Sequence, residues 1–309
     1  MAKFKLEKKI GELSLFHYNY DAASMAVTSQ SATKLEIADI DGDKVVYTGT
    51  GFTFDGDEAT AGKVKKVEFF NADGDLLLTI TDASFKLAAL SPTDVLFNFS
   101  IFEKGNDTFK GSSAGDWIMY GDNRGNDKIY GLGGNDYILG SDGKNLIDGG
   151  KGGKDVLTYS LIDYAENPNV KGVKVDLAKG EAINPWGDKD TIVGIEDVRG
   201  TRFADTFVGT KKNEHFAGVE GNDRMTGGKG NDSFDFSRGW DKDKITDFGK
   251  GDDSVELSGL GVANFGELKG LMEQKGKNVV IDFGHGDVLT FLDVDKSDFT
   301  KDDFTIYQW

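Results

Sequence analysis

The chain has 309 residues and a formal charge of −17, and 42 of its residues are glycine. Because nucleic-acid phosphates demand basic surfaces, this acidic balance excludes nucleic acid as an expected partner and favours cations. The chain has no cysteine, which excludes disulfides and thiolate metal sites, and its 38% of hydrophobic residues is too high for a disordered acidic tail.

The N-terminal third is predicted to be a separate antiparallel β domain, residues 1–100. Asp-Gly pairs, which are hairpin signals, separate strand-like apolar runs at 34–37, 44–47, 64–70 and 76–80. One pair lies in Asp39–Asp43, whose alternating aspartates suggest an EF-hand calcium loop. Its glycine stands fourth rather than sixth, and Thr50 replaces the bidentate Glu, so a hairpin turn is favoured. The start of the chain shows no apolar signal-peptide core, and no run of about 18 apolar residues predicts a transmembrane helix.

Beyond residue 100, a nine-residue repeat dominates the chain. Residues 227–235 match G-G-x-G-x-D-x-U-x at every fixed position, where U is a large apolar residue. The repeat recurs in two blocks, 101–158 and 191–248, separated by an intervening segment, 159–190. Because glycine adopts positive φ at no steric cost, each unit is predicted to be a tight turn and a short strand with U pointing inward. The U residues are Phe109, Ile118, Ile129, Ile138, Ile147, Leu157, Val198, Phe207, Phe216, Met225 and Phe234.

The acidic residues of the repeats are predicted to bind several calcium ions. Two units complete one coil, so aspartates about 18 residues apart face the same gap between coils. Calcium takes about 6–8 oxygens from carboxylates and carbonyls, and carboxylates stacked without a cation would repel one another. The predicted side-chain ligands are Asp107, Asp116, Asp127, Asp136, Asn145, Asp155, Asp205, Asp223 and Asp232. The turn glycines predicted to line these sites are Gly105, Gly125, Gly134, Gly143, Gly221, Gly228 and Gly230.

The spacing also predicts which of these residues share a gap. The pairs are Asp107 with Asp127, Asp116 with Asp136, Asp127 with Asn145, Asp136 with Asp155, Asp205 with Asp223, Glu214 with Asp232, and Asp223 with Asp241. Glu214 and Asn145 are the weaker ligands, because Glu is one methylene longer than Asp and Asn is neutral.

These nonapeptides resemble the repeat-in-toxin (RTX) family, the hemolysin-type calcium-binding repeats of toxins, serralysin-like proteases and rhizobial-type exoproteins. The resemblance covers roughly residues 101–309 and includes a serralysin-like C-terminal region. It implies an all-β fold, in which the N-terminal antiparallel domain is followed by a calcium-bound parallel β-roll over 101–248.

The end of the chain is predicted to cap the roll, over residues 249–309. The pattern there predicts one short helix at 264–275 and strands at 279–281 and 288–291. The last residues, 302–309, resemble the uncleaved signal of type I secretion substrates, which implies export by a type I secretion apparatus.

The resemblance implies a secreted, extracellular, non-catalytic calcium-binding protein that folds on extracellular calcium. Adhesion, matrix or host-surface contact is the expected role, with polysaccharide or a cell surface as partner. A metalloprotease is excluded because none of His17, His215 and His285 lies in H-E-x-x-H, and the last two are expected to be solvated. Gly111–Gly115 matches the nucleophile elbow G-x-S-x-G but lies in a repeat turn. The alternatives are a glycan-active extracellular enzyme and a membrane-active, channel-forming RTX protein.

Overall fold

The computed structural model of the chain describes residues 3–6, 13–14, 26–56, 58–86, 106–118, 125–161 and 169–308. The chain forms two compact units, Met1–Gly153 and Lys154–Trp309. Among the described residues, strands dominate both units and a single α-helix is present, which confirms the predicted all-β fold class. No described helix has the length and apolar character needed to cross a membrane.

The first unit contains an antiparallel sheet near its N-terminus. The first seven strands are β1 (Lys3–Leu6), β2 (Leu13–Ser14), β3 (Ala26–Ser31), β4 (Lys34–Ala38), β5 (Lys44–Asp55), β6 (Glu58–Phe70) and β7 (Leu76–Lys86). Strands β3 to β7 pair in chain order, and β1 pairs antiparallel with β7. The predicted Asp-Gly turns are present, with Gly42 and Gly74 at φ of 98° and 82°. The sheet buries Leu35, Ile37, Val45, Val64 and Ile80.

Parallel coils follow in the same unit. Their strands are β8 (Thr108–Lys110), β9 (Asp116–Ile118), β10 (Lys128–Tyr130), β11 (Tyr137–Leu139) and β12 (Leu146–Asp148). Successive strands alternate between two sheets: β8, β10 and β12 pair in parallel in one, and β9 pairs in parallel with β11 in the other. Strand β2 extends the second sheet, while β1 connects the parallel β8 to the antiparallel β7. This alternation of very short strands is the predicted β-roll arrangement.

The second unit repeats this alternation over more coils. Its roll strands are β13 (Val156–Thr158), β14 (Lys174–Asp176), β15 (Glu181–Ile183), β16 (Lys189–Val193), β17 (Asp197–Arg199), β18 (Thr206–Val208), β19 (His215–Ala217), β20 (Arg224–Thr226), β21 (Ser233–Ser237), β22 (Lys242–Ile245) and β23 (Ser254–Ser258). One sheet stacks β14, β18, β20 and β22 in parallel, and the other stacks β13, β17, β19, β21 and β23. The segment without repeats contributes an antiparallel hairpin, β15–β16, which pairs with β14.

The U side chains form the core of the coils, as predicted. Each of them is at most 6% exposed. In the second unit, Phe216 of one sheet stacks on Phe207 of the other at 5.5 Å between ring centroids and lies 6.1 Å from Phe234. One repeat unit has no partner for this apolar face, so the units are stable only when they stack.

The C-terminal cap contains the helix α1 (Phe265–Leu271) and further strands of the second unit. The strands are β24 (Met272–Lys275), β25 (Asn278–Gly284), β26 (Asp287–Phe291) and β27 (Phe304–Tyr307), with 3-10 helices at Lys296–Asp298 and Lys301–Asp303. The predicted strands at 279–281 and 288–291 are therefore present. Strand β26 extends the sheet of β22, and β27 extends the sheet of β23.

The helix ends four residues before its predicted end. It begins as expected after Asn264, whose side chain accepts the backbone N–H of Glu267 at 3.0 Å. Residues 272–275 then pair antiparallel with β25, so strand pairing overrides the helical pattern there. Leu268 of this helix is buried, whereas Leu271 at its end is 42% exposed.

Candidate metal-binding site

The acidic side chains of the second unit form two rows whose members lie one coil apart. The first row is Asp205, Asp223 and Asp243, and the second row is Glu214, Asp232 and Asp253. All six residues are between 0% and 7% exposed. Within each row, one carboxylate oxygen accepts a hydrogen bond from the backbone N–H of the preceding member, at 2.7 to 3.0 Å. Each turn is thus tied to the next by an acidic side chain.

The first unit shows the same contact. Asp127 Oδ1 accepts the backbone N–H of Asp107 at 2.6 Å, and Asp136 Oδ1 accepts that of Asp116 at 2.8 Å. Asn145 Oδ1 accepts the backbone N–H of Asp127 at 2.9 Å. The spacing of 18 or 20 residues therefore brings these residues together in the pairs that the sequence predicts.

The second oxygen of two first-row carboxylates has no donor. Asp223 Oδ2 and Asp243 Oδ2 are buried and accept no hydrogen bond. In the turns that lead to Asp223 and Asp232, a glycine five positions before the aspartate leaves room for its Oδ2. A Cβ on Gly218 would lie 2.1 Å from Asp223 Oδ2, and a Cβ on Gly227 would lie 2.3 Å from Asp232 Oδ2. Gly218 and Gly227 are absent from the predicted site residues, although their constant offset from the aspartate is visible in the sequence.

Burial raises the pKa of several of the stacked aspartates. The pKa of Asp223 rises to about 9, because burial disfavours the charged form and Asp243 adds like charge beside it. Burial likewise raises the pKa of Asp243 to about 8, those of Asp205 and Asp127 to about 7, and that of Asp232 to about 6. In the absence of a cation, these groups therefore resist ionisation where ordinary aspartates are charged.

Asn145 shows what a hydrogen-bond donor does at the same position. Its Nδ2 lies 3.2 to 3.4 Å from the main-chain carbonyl oxygens of Ser141, Asp142 and Gly143, and donates to them. An aspartate at this position would instead present an oxygen to the carbonyls. A cation would then be required between the two kinds of oxygen. The amide of Asn145 thus satisfies the turn that its aspartate neighbours leave to a metal.

The turn glycines bring main-chain carbonyls close to the next coil. A Cβ on Gly143 would lie 1.7 Å from the carbonyl oxygen of Gly125, and a Cβ on Gly251 would lie 1.4 Å from that of Gly230. The predicted turn glycines with positive φ, from 88° to 144°, are Gly134, Gly143, Gly221, Gly228 and Gly230. Gly105 lies outside the described residues.

The donor set fits calcium. Buried carboxylate oxygens and nearby main-chain carbonyls are the hard ligands that calcium takes in flexible geometry. Calcium sites of this composition draw on main-chain oxygens as well as on side chains. Over the described parts of the chain, no three His, Asp or Glu side chains lie close enough to hold a metal ion by themselves.

One predicted partner is wrong, and one further contact lies outside the spacing-based prediction. Asp223 contacts Asp243, 20 residues later, instead of Asp241, which is exposed at a φ of 62°. The turn after β21 is longer, so β22 pairs with β20 two residues later than the period of 18 requires. Asp155 donates its backbone N–H to Glu196 at 3.3 Å, because the hairpin β15–β16 intervenes in the chain. Ile245 is buried two residues after Asp243, as U is in every repeat, and this offset is the signal that could have identified Asp243.

His215 is buried rather than solvated, so the expectation for this residue was wrong. Its Nδ1 lies 2.8 Å from Asp197 Oδ2 and its Nε2 lies 2.9 Å from Asp235 Oδ1, which joins three successive coils. Burial alone would lower the pKa of His215, but the hydrogen bonds to both carboxylates outweigh it and raise the pKa to about 9. His215 is therefore a cation at neutral pH, and the protein itself supplies the positive charge at this place.

A family model of the RTX calcium-binding nonapeptide repeat (4 copies) matches residues 122–153, 199–234 and 208–241. The chain therefore carries RTX calcium-binding repeats, and the predicted resemblance is confirmed. The crystal structure of the extracellular lipase LipA from Serratia marcescens is similar to 66% of this chain, with 19% sequence identity and a TM-score of 0.26. The match covers 40% of the lipase chain. No curated protein matches the chain.

The raised pKa values predict how the calcium-free protein responds to pH. An unfolded aspartate titrates near pH ~3.9, whereas the pKa is about 7 for folded Asp205 and about 9 for Asp223. The folded state therefore binds protons at these aspartates more tightly than the unfolded chain does. Protonation of Asp205 and Asp223 thus stabilises the folded state fully below the unfolded pKa, and this stabilisation is lost as pH rises through 7 to 9. Thermal unfolding of calcium-stripped protein, followed by circular dichroism, should therefore give a lower Tm at pH 8.5 than at pH 5.5. Millimolar calcium should reverse the trend, since it binds the ionised carboxylates, and a flat profile in stripped protein would contradict this account.

Replacing His215 should destabilise the second unit. His215→Gln removes the cation between Asp197 and Asp235, and breaking a buried ion pair costs about 3 kcal/mol. Urea unfolding of the calcium-loaded protein measures this loss in the free energy of unfolding. The matched control is His285→Gln, because His285 is exposed in a turn and its replacement should change little. Equal effects of the two substitutions would show that the Asp–His–Asp contact does not stabilise the coils.

Proposed function

We propose that this RTX calcium-binding protein is secreted and that calcium outside the cell drives the folding of its repeats. One observation carries the proposal: the stacked carboxylates of Asp223 and Asp243 have buried oxygens that accept no hydrogen bond. Burying an ionised oxygen without a partner is strongly unfavourable. The coils therefore need either protons or a cation, and calcium outside the cell is the cation that we propose.

The residues that would hold calcium are the row aspartates and the carbonyls of the turn glycines. When bound, calcium supplies the positive charge that the rows lack. The chain contributes the rest of the arrangement. The backbone N–H of Asp205 orients one oxygen of Asp223, and the missing side chain of Gly218 leaves room for the other.

The proposed affinity is that of extracellular calcium modules. Extracellular calcium modules bind at about 10⁻⁴–10⁻³ M, so such repeats stay unfolded where calcium is scarce and fold where it is plentiful. This behaviour supports export of the chain in an unfolded form by a type I secretion apparatus.

The proposed role is binding rather than catalysis. Ser113, the central residue of G-x-S-x-G, lies in the turn between β8 and β9, so a strand rather than a helix follows it. Both ring nitrogens of His215 are hydrogen-bonded to carboxylates. This imidazole is therefore not placed to exchange a proton with a substrate.

A surface glycan is the proposed partner, in adhesion or matrix contact. Trp117 of β9 stacks on Tyr137 of β11 with ring centroids 4.7 Å apart and planes inclined by 17°. Trp117 remains 39% exposed, so part of a rigid aromatic pair faces solvent. Trp and Tyr provide large contact areas at low entropic cost, which favours them at binding surfaces.

Calcium removal should unfold the repeats. We expect chelated full-length protein to lose strand signal in circular dichroism and millimolar calcium to restore it cooperatively. Asp243→Asn keeps the side-chain shape but removes one charge and supplies an N–H donor. It should therefore raise the calcium concentration for half-maximal folding by about tenfold. Asp241→Asn is the matched control, since Asp241 is exposed one residue from β22, and should have little effect. A chelated protein with full strand signal and unchanged Tm would refute calcium-driven folding.

Glycan contact should depend on the aromatic pair. Calcium-loaded protein is expected to be retained on an array of insoluble and immobilised polysaccharides, and the variant with Trp117→Ala and Tyr137→Ala should lose most of this retention. Tyr307→Ala serves as the control, because Tyr307 is 45% exposed and has no such stack. Release of reducing ends from any polysaccharide would instead favour a glycan-active enzyme.

A further inference from the structure

The N-terminal sheet carries two turns of the same construction side by side. Residues 39–43 connect β4 to β5 with the sequence Asp-Ile-Asp-Gly-Asp, and residues 71–75 connect β6 to β7 with Asn-Ala-Asp-Gly-Asp. In each turn the first residue donates its backbone N–H to the carbonyl of the fifth, at 3.0 and 3.1 Å. The fourth residue donates to the carbonyl of the first, at 3.3 and 2.9 Å. The two turns therefore differ mainly in the side chain at the first position, Asp39 or Asn71.

The side chains at the first position, Asp39 and Asn71, make one hydrogen bond in common. Asp39 Oδ1 accepts the backbone N–H of Asp43 at 2.9 Å, and Asn71 Oδ1 accepts that of Asp75 at 2.7 Å. The second polar atom of each side chain, Oδ2 in Asp39 and Nδ2 in Asn71, therefore occupies the equivalent position in its turn. Asn71 Nδ2 donates to Asp75 Oδ2 at 3.2 Å and so completes the second turn.

The first turn lacks the hydrogen bond that Asn71 donates in the second. Asp39 is 8% exposed, and its Oδ2 is buried and accepts no hydrogen bond. By equivalence with the second turn, this oxygen occupies the position from which a donor would reach the carboxylate of Asp43. Two carboxylates cannot share a hydrogen bond when both are ionised, so they repel each other instead.

Further acidic groups surround this place. The negative charges of Asp39, Asp41 and Asp73 all act on the carboxylate of Asp43. A Cβ on Gly42 would lie 3.5 Å from Ala72 Cβ, so the two turns are in van der Waals contact. The carboxylates of both turns therefore concentrate negative charge at one end of the sheet.

We propose that the turn Asp39–Asp43 is a calcium site outside the repeats, in which Asp39 Oδ2 and the Asp43 carboxylate share one cation. Water completes the shell, and the exposed carboxylates of Asp41 and Asp73 add negative charge around it. An all-oxygen set with flexible, partly solvated ligands suits calcium better than magnesium, which demands a near-octahedral arrangement. In the second turn, Asn71 replaces the cation with its own N–H groups.

Hydrogen–deuterium exchange of the full-length protein tests this site locally. The backbone N–H groups of Asp41, Gly42 and Asp43 all donate to Asp39 Oδ1, so fixing Asp39 should protect them. In wild-type protein, calcium at about ten times its Kd should slow exchange in the peptide containing 41–43 about elevenfold. Magnesium at the same concentration should slow it less.

Asp39→Asn converts the first turn into a copy of the second. These amides should then be protected without calcium, and added calcium should not slow their exchange further, while the repeat peptides still respond. The reciprocal Asn71→Asp should make exchange at residues 73–75 calcium-dependent. Asp55→Asn, an exposed charge change in the same sheet, should leave the wild-type response intact.

Two outcomes would overturn the proposal. One is wild-type exchange at 41–43 that ignores calcium while the repeat peptides become protected. The other is an undiminished calcium response in the Asp39→Asn protein, which would mean that the effect is transmitted from elsewhere. If calcium slowed exchange at 41–43 but not in the repeat peptides, the proposed function would be contradicted and the calcium site in the turn Asp39–Asp43 would still be supported.

Discussion

An ionised carboxylate has no proton to donate, and burying such groups is the constraint on which the coils of the protein depend. The parallel stacking of short strands places acidic residues above one another every 18 to 20 residues. One oxygen of each is satisfied by a backbone N–H from the preceding coil, which is a favourable contact at low dielectric. The second oxygen of Asp223 or Asp243 has no equivalent donor. The same geometry that aligns the coils thus creates their demand for a cation.

The chain meets this demand in two ways. At some positions its own side chains supply protons: Asn145 donates to three main-chain carbonyls, and the imidazolium of His215 lies between two carboxylates. At Asp223 and Asp243 no such donor is present, and RTX repeats bind calcium.

Much of the fold could be predicted because its determinants are local. Glycine at turn positions and alternating apolar residues act within a few neighbours, so strands, turns and buried U residues such as Phe216 follow from the period itself. The partners of the row residues follow too wherever the turns keep a constant length. The prediction was wrong where one element competes with another. Residues 272–275 have a helical pattern, but they pair with β25 because strand contacts outweigh propensity.

The repeat, the all-β class, the inward apolar residues and the kind of ligand atom can all be read from the amino-acid sequence, because each depends on residue type at short range. Which residues meet across coils depends on the turn length between strands, and that became known only from the folded chain. It paired Asp223 with Asp243 rather than Asp241 and placed His215 between two aspartates. It also showed that Asp39 Oδ2 is buried without a donor, because burial is a property of the assembled sheet and not of the turn sequence.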